Sequence, residues 1–332
     1  MRAFLRSLVV AVGLLAPIAS GQEVVMKMAS VAPDGTPWAK ALLQYKKKVA
    51  ELSGGRIKMK LFIGGALGDE NETVTACKRG RVQAIAVSTS AMATVVPELN
   101  ILEMPYLFRD YAQADKALDN ANVMRSVNKY LADRGFMLLF WSENGFRSFG
   151  TSFGFVKSPA DIKSKKMRSQ EVPTHIEFYK AIGASPVPIP VTEVLTSLQT
   201  GVVQGFDNTP LFSFASSWHT AVTHYSVTEH IYQPALIAVK KDWWDALKKE
   251  DQDILEAAKG DIPVKLRSTL RKMGPLLLKN FENAGIQVHR LTDGEKATFH
   301  AAAKVAREKY LSGASAEAKA FHATLVAAMG GR

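Results

Sequence analysis

Arg168 stands in a short strand-like run, Lys166 to Ser169, and Asn208 follows a second one, Val202 to Phe206. A guanidinium is a planar fork of N–H donors that grips a carboxylate through two parallel hydrogen bonds, and a carboxamide can add another. Arg147, earlier in the chain, could join them either as a ligand contact or as a structural brace. Together these side chains predict half of a cleft that holds an anion. The alternative for Arg168 is one more solvated charge beside Lys163, Lys165 and Lys166. For Asn208 it is a turn, since Asp207-Asn208-Thr209-Pro210 is also turn chemistry.

Other patterns carry less. Gly150-Thr151-Ser152-Phe153-Gly154 fits the G-x-S-x-G of a hydrolase nucleophile elbow. That elbow needs a helix directly after it, whereas Phe155-Val156-Lys157 leading to Ser158-Pro159 reads as extended chain and then a turn. His219, His224 and His230 do not fall one helical turn apart, so they read as polar or packing residues rather than metal ligands. Gly64, Gly65 and Gly68 lack the Lys-Ser/Thr sequel of a phosphate loop. Cys77 is the only cysteine, which excludes an intrachain disulfide. Lys78 and Arg79 could activate its thiol, but a small buried hydrophobe is the simpler reading.

The elements that must position Arg168 and Asn208 alternate. Val24–Met28 and Ile57–Phe62 read as strands flanking a helix from Pro37 to Leu52 that stops at Ser53-Gly54-Gly55. Helix, strand, helices and strand then follow over Asp69–Arg79, Val82–Ser88, Ala112–Arg134 and Phe136–Ser142. A second cycle has strand Lys166–Ser169, helix Pro173–Ile182, extended Val187–Pro190, helix Glu193–Thr200 and strand Val202–Phe206. Such alternation predicts an α/β fold with ligand loops at strand ends. An internal echo pairs Glu72, Gly80, Val82 and Gln83 with Glu193, Gly201, Val203 and Gln204, each Gly turning a helix straight into a strand. The echo suggests two related lobes, with helices at Ala246–Leu270, Met273–Ala284 and Ser315–Met329 bracing them.

Residues 1–21 begin with Arg2 and Arg6, continue through an apolar run from Leu8 to Ala16 and close on Ala19-Ser20-Gly21. This predicts a cleavable secretory signal with processing near Gln22, and so a periplasmic protein long enough for two domains. Pro17 and the lack of a polar face argue against an apolar first helix. The net charge of +11 falls to +9 without residues 1–21, which hold two Arg and no acid. A positive field suits the capture of anions. The basic residues are dispersed and form no nucleic-acid-binding motif.

Seven segments in order, Ala29–Pro37, Gly65–Glu72, Glu143–Arg147, Lys166–Arg168, Gly183–Pro188, Leu198–Asn208 and His230–Tyr232, give the chain a family likeness. It resembles the periplasmic solute-binding subunit of TRAP transporters, the DctP-like family. The resemblance implies a two-lobe periplasmic-binding-protein fold of the α/β class, with mixed sheets, lobe crossovers near Asn144 and Tyr232, and a long helix spanning both lobes. It places residues 22–145 and 233–272 in the first lobe and 146–232 and 273–332 in the second. It implies that Arg168 pairs with a ligand carboxylate, Arg147 supports it and Asn208 hydrogen-bonds it. Ser88 and Thr89 would then form the opposing wall and Val191 the cleft floor. It further implies a monomeric receptor, without enzymatic activity or cofactor, that captures a small organic acid for TRAP membrane permease subunits, or presents it to a membrane signalling protein.

Thr209 replaces a more usual Pro, Gln204 a common Asp, and Leu195 and Val191 stand where some members carry aromatics. Asp207-Asn208 lacks the Glu-Trp pair of the metal-carrying branch, so no metal is expected. Val191, Ala84 and Leu195 predict an apolar wall poor in hydrogen-bonding groups, hence an acid with a modest apolar body rather than a polyhydroxylated sugar acid.

Overall fold

The computed structural model describes residues 23–330, and the expected secretory segment, 1–21, lies outside them. Nine strands, β1 (Val24–Ser30), β2 (Ile57–Phe62), β3 (Ala84–Ser88), β4 (Phe136–Thr151), β5 (Lys166–Ser169), β6 (Ser185–Pro188), β7 (Gly205–Asn208), β8 (His224–Lys240) and β9 (Gln287–Arg290), make one mixed sheet. Its order is β2-β1-β3-β8-β4-β7-β5-β6, with β9 also on β8. Among the described residues no helix is long and apolar enough to cross a membrane.

β4 and β8 define the two lobes. They pair antiparallel from Phe136↔Lys240 to Thr151↔His224, with register breaks at Leu138/Phe140, Glu143/Gly145 and Arg147/Phe149. One end of the pair continues into β3, β1 and β2, and the other into β7, β5 and β6. The break at Glu143/Gly145, opposite Pro234 and Gln233, lies between these ends and marks the crossover. A bulge there bends the ribbon.

Local chemistry explains the helices beside the cleft. Thr36 caps Pro37–Leu52, accepting from Ala39 N, with Pro37 in the first turn, where a missing N–H costs nothing. Asp69 and Glu72 form a capping box that starts Glu70–Lys78. The echoed glycines Gly80 and Gly201 take φ +75° and +73°, the left-handed turn that the sequence predicts. A Cβ at Gly205 would lie 2.6 Å from the Gly150 carbonyl oxygen, so glycine is what lets β7 seat against its neighbours.

The C-terminal third differs from the sequence reading. The helix expected to run from Ala246 to Leu270 is divided at Gly260, and the piece beginning at Ile262 continues through Pro275 to Asn283. Pro275 removes one N–H but does not end the helix, because Leu270, Leu277, Leu278 and Phe281 are buried on either side of it. This helix crosses from Pro37–Leu52 in the first lobe to Pro210–Ala215 in the second. Arg271 anchors it at the crossover, donating to Glu143 Oε1 and Oε2 at 2.8 and 2.7 Å and to Asp115 at 2.6 Å. Residues 273–332 do not all join the second lobe. Phe321 and Leu325 of the helix Ala316–Ala328 pack in the first lobe's core, while Phe299 and Ala303 of Asp293–Gly313 pack in the second's.

Candidate functional site

The C-terminal ends of β3 and β5 and the start of the helix Glu70–Lys78 surround a cavity between the lobes. Arg168 lies at its edge, only 2% exposed. Its neighbour Met167 points into the second lobe's core, and alternation along β5 turns Arg168 the other way. Its Nε and one terminal nitrogen donate to the Ile189 carbonyl at 3.0 and 2.8 Å, and the group lies 5.5 Å over the Trp218 ring. Among the described residues no carboxylate forms an ion pair with it. Burial, with Arg147 nearby, pulls its pKa down to about 10. It is a charge taken out of water without a directly paired carboxylate, Asp207 and Glu70 acting on it only from farther off.

Arg147 is already paired. On β4 it donates from Nε to Asp207 Oδ2 at 2.6 Å, from one terminal nitrogen to Gln233 Oε1 at 2.8 Å, and from the other to the Asp207 carbonyl at 2.5 Å. Asp207 also accepts from the Tyr179 hydroxyl at 2.8 Å. His230 Nε2 lies 3.3 Å from Asp207 but is not aligned for a hydrogen bond, and its ring stacks on Phe149. Burial alone would raise the Asp207 pKa, but Arg147 and His230 hold it well below the usual carboxylate range. Of the two roles open to Arg147, brace is the one these bonds describe. The Asn208 carboxamide oxygen accepts from Thr209 N at 2.8 Å and lies 3.4 Å from Arg147, so its NH2 end is the part with donors for the cavity.

Ser88 and Val191 both line the cavity. Thr89 does not. It lies one residue inside the short helix Thr89–Met92 and donates instead to Glu103 Oε1 at 2.5 Å and the Pro234 carbonyl at 3.0 Å. Ala84 shares a face of β3 with Ala86 and Ser88 but is sealed in the core, and Ala86 is the lining residue. Leu195 packs against the core instead of the cavity.

Sequence reasoning missed the cavity's polar side. Glu70, hidden by its place in a capping segment, lines the cavity, and its carboxylate accepts Ser88 N and Oγ, each at 2.7 Å. Glu70 is half-buried, and burial raises its pKa. Asn144, Gln170 and Gln233 add carboxamides. Trp38, Leu42, Phe212 and Ile237 supply the apolar side. The expectation of a wall poor in hydrogen-bonding groups therefore does not hold, and the case against hydroxylated acids fails with it. Elsewhere, Ser152 Oγ donates to the Gln204 carbonyl at the exposed end of β4, with no helix directly following Gly154. Cys77 is fully buried, which pushes its thiol up to about 12.

Residues 28–313 match the family described as bacterial extracellular solute-binding protein, family 7 (DctP). A solute-binding protein of Verminephrobacter eiseniae (strain EF01-2) is 36% identical over 220 residues, 66% of this chain and just under two thirds, 65%, of that protein. Two solved structures share the fold over nearly their whole length. One is a TRAP periplasmic solute-binding protein from Polaromonas sp. JS666 bound to D-erythronate, 29% identical, with TM-score 0.84 over 92% of this chain and 98% of that one. The other, from Ralstonia eutropha H16, binds (S)-2-acetolactate and is 26% identical, with TM-score 0.86 over 93% and 99%.

Proposed function

Because this chain belongs to bacterial extracellular solute-binding protein family 7, we propose that it captures a small hydroxy- or keto-carboxylate between its lobes in the periplasm and delivers it to a TRAP membrane permease. The observation that carries this reading is Arg168, a buried guanidinium that faces the cavity without an ion pair to any carboxylate among the described residues. Its Ile189 contacts fix the fork while leaving donors for a ligand. A carboxylate arriving there supplies the missing charge, and Asn208 adds a donor beside it.

Closure follows from the same electrostatics. Closing an empty cleft buries an unpaired cation, whereas closing on a carboxylate buries a hydrogen-bonded pair. The ligand thus favours the closed arrangement by its differential affinity, and the hinge at Glu143–Gly145 with its Arg271 anchor lets the lobes move about a fixed point. Glu70 and Gln170 line the cavity together with Arg168 and suit hydroxyl or keto oxygens, while Trp38, Val191 and Ile237 suit the carbon body. D-erythronate and (S)-2-acetolactate, bound by the two structural relatives, have this combination.

The test is calorimetry with D-erythronate, (S)-2-acetolactate and the acid identified by mass spectrometry of the purified protein. Binding of at least one acid, lost in its uncharged amide, is expected. Failure of every carboxylate to bind, with tight binding of a neutral solute, would refute the proposal.

A further inference from the structure

A second polar cluster lies behind the ligand cavity and joins the two lobes directly. Glu103 ends the 3-10 turn Pro97–Glu103, which is held in the first lobe's core by Leu99 and Leu102. His175 belongs to the helix Pro173–Ala181, held in the second lobe's core by Phe178 and Tyr179. His175 Nε2 and Glu103 Oε2 are 2.9 Å apart, and both side chains are out of solvent. Glu103 is otherwise tied to its own lobe and to the hinge, accepting from Thr89 at 2.5 Å and from Gln233 Nε2 at 2.8 Å.

Gln233 connects this cluster with the cavity it lines. Its carboxamide oxygen accepts from Arg147 and from Asn144 Nδ2, each at 2.8 Å, while its NH2 end reaches Glu103 and, at 2.6 Å, Gln170 of the second lobe. A carboxamide turned the other way would set its NH2 against the Arg147 guanidinium, so Glu103 and Arg147 together fix its orientation. Among the described residues the His175 Nδ1 is buried without a hydrogen-bond partner, as are His219 Nδ1 and His230 Nε2, so the Nε2 contact to Glu103 is the hydrogen bond this ring makes. The bond it does make crosses to the other lobe.

We propose that His175 and Glu103 form an interlobe latch that assembles only on closure and acts as a positioning pair, holding Gln233, and through it Arg147 and Asn144, in the geometry that the bound acid meets. The latch exchanges with water when the lobes part, so its net contribution is modest. A hydrogen bond to a charged group biases such an equilibrium by about tenfold to a hundredfold. That is enough to slow release without locking the cleft. The ligand-bound arm of the idea rests on the receptor reading above; the closure arm does not.

The experiment keeps the two apart. Asn71 Nδ2 donates to Glu171 Oε2 across the cleft mouth at 2.8 Å. In the full protein carrying Asn71→Cys and Glu171→Cys, crosslinking by a short bis-maleimide reports the fraction of time that the cleft is closed, and buried Cys77 does not compete. In the ligand-free protein, His175→Phe should lower the crosslinking rate by about tenfold or more. His175→Gln, which keeps a donor long enough to reach Glu103, should restore most of it. Glu103→Gln, which keeps size and an acceptor but loses the charge, should be intermediate and serves if His175→Phe does not fold. Equal rates in all folded variants and the parent would overturn the latch. With D-erythronate as probe, release rates should follow the inverse order with association nearly unchanged. The ordered crosslinking rates without binding of any acid would count against the ligand assignment and leave the latch standing.

Discussion

Arg168→Ala should separate ligand binding from folding. The guanidinium is buried, makes no ion pair among the described residues, and is held by the Ile189 carbonyl and the Trp218 ring. In the complex, truncation would leave a ligand carboxylate buried without its partner, a loss of about 2–5 kcal/mol for such pairs. At 1.4 kcal/mol per tenfold, affinity should fall roughly 30-fold to several thousand-fold. Arg168→Lys keeps the charge but loses the fork, so it should fall between the two. Without ligand the sign reverses. The folded-state pKa of Arg168 is pulled below its ordinary value, which means that burying the charged form opposes the closed fold until an anion arrives. The ligand-free variant should therefore melt no lower than the parent, while the ligand-induced rise in melting temperature, RT ln(1 + [L]/Kd), disappears. Isothermal calorimetry and thermal unfolding on the same preparations read both effects. Unchanged affinity in Arg168→Ala, or parental affinity in Arg168→Lys, would refute the assignment of a guanidinium–carboxylate fork.

Arg147→Met should behave oppositely, losing about 3–5 kcal/mol of stability in chemical denaturation even without ligand, because Asp207 would remain buried without its cation. Asp207 and Glu103 both have folded pKa values below the ordinary carboxylate range, so their stabilisation is complete above about pH 4 and is lost as pH falls through the lowered values; Asp207→Asn should flatten that acid limb of a melting-temperature profile. Glu70 has the reverse sign. Its raised pKa makes the ionised form costly above that value, so Glu70→Gln should raise the melting temperature at neutral pH, with the gain gone by about pH 4. Ser152 should resist a fluorophosphonate probe, and labelling abolished by Ser152→Ala would contradict the reading of this chain as a binding protein.

Where local chemistry suffices, the sequence determined the outcome. Thr36-Pro37 starts a helix and Gly54-Gly55 follows its end, Asp69 with Glu72 caps the next, and Gly80 and Gly201 turn helices into strands, because each of these signals acts within a few residues. The strand Lys166–Ser169 that carries Arg168 was legible as well, and it sets that side chain beside the cavity. Signals spread over distance were not. The 17-residue β8 is buried along almost its whole length on both faces, so it has no alternation to reveal it, and Pro234 in its middle reads as a stop. The break expected between Leu270 and Met273 is likewise absent, because the residues on both sides of it, from Leu266 to Phe281, are packed as one helix. Glu70 reads as a favourable acid in a first helical turn, which it is, and nothing local shows that β3 places Ser88 against its carboxylate.

The difference between the two arginines belongs to tertiary structure alone. Arg147 and Arg168 are chemically the same group, but Asp207 lies 60 residues along the chain from Arg147 and reaches it only because β7 pairs with β4. The sequence supplied two buried cations' worth of charge in this region. Long-range pairing of strands decided which one is neutralised inside the protein and which one is left without an ion pair among the described residues.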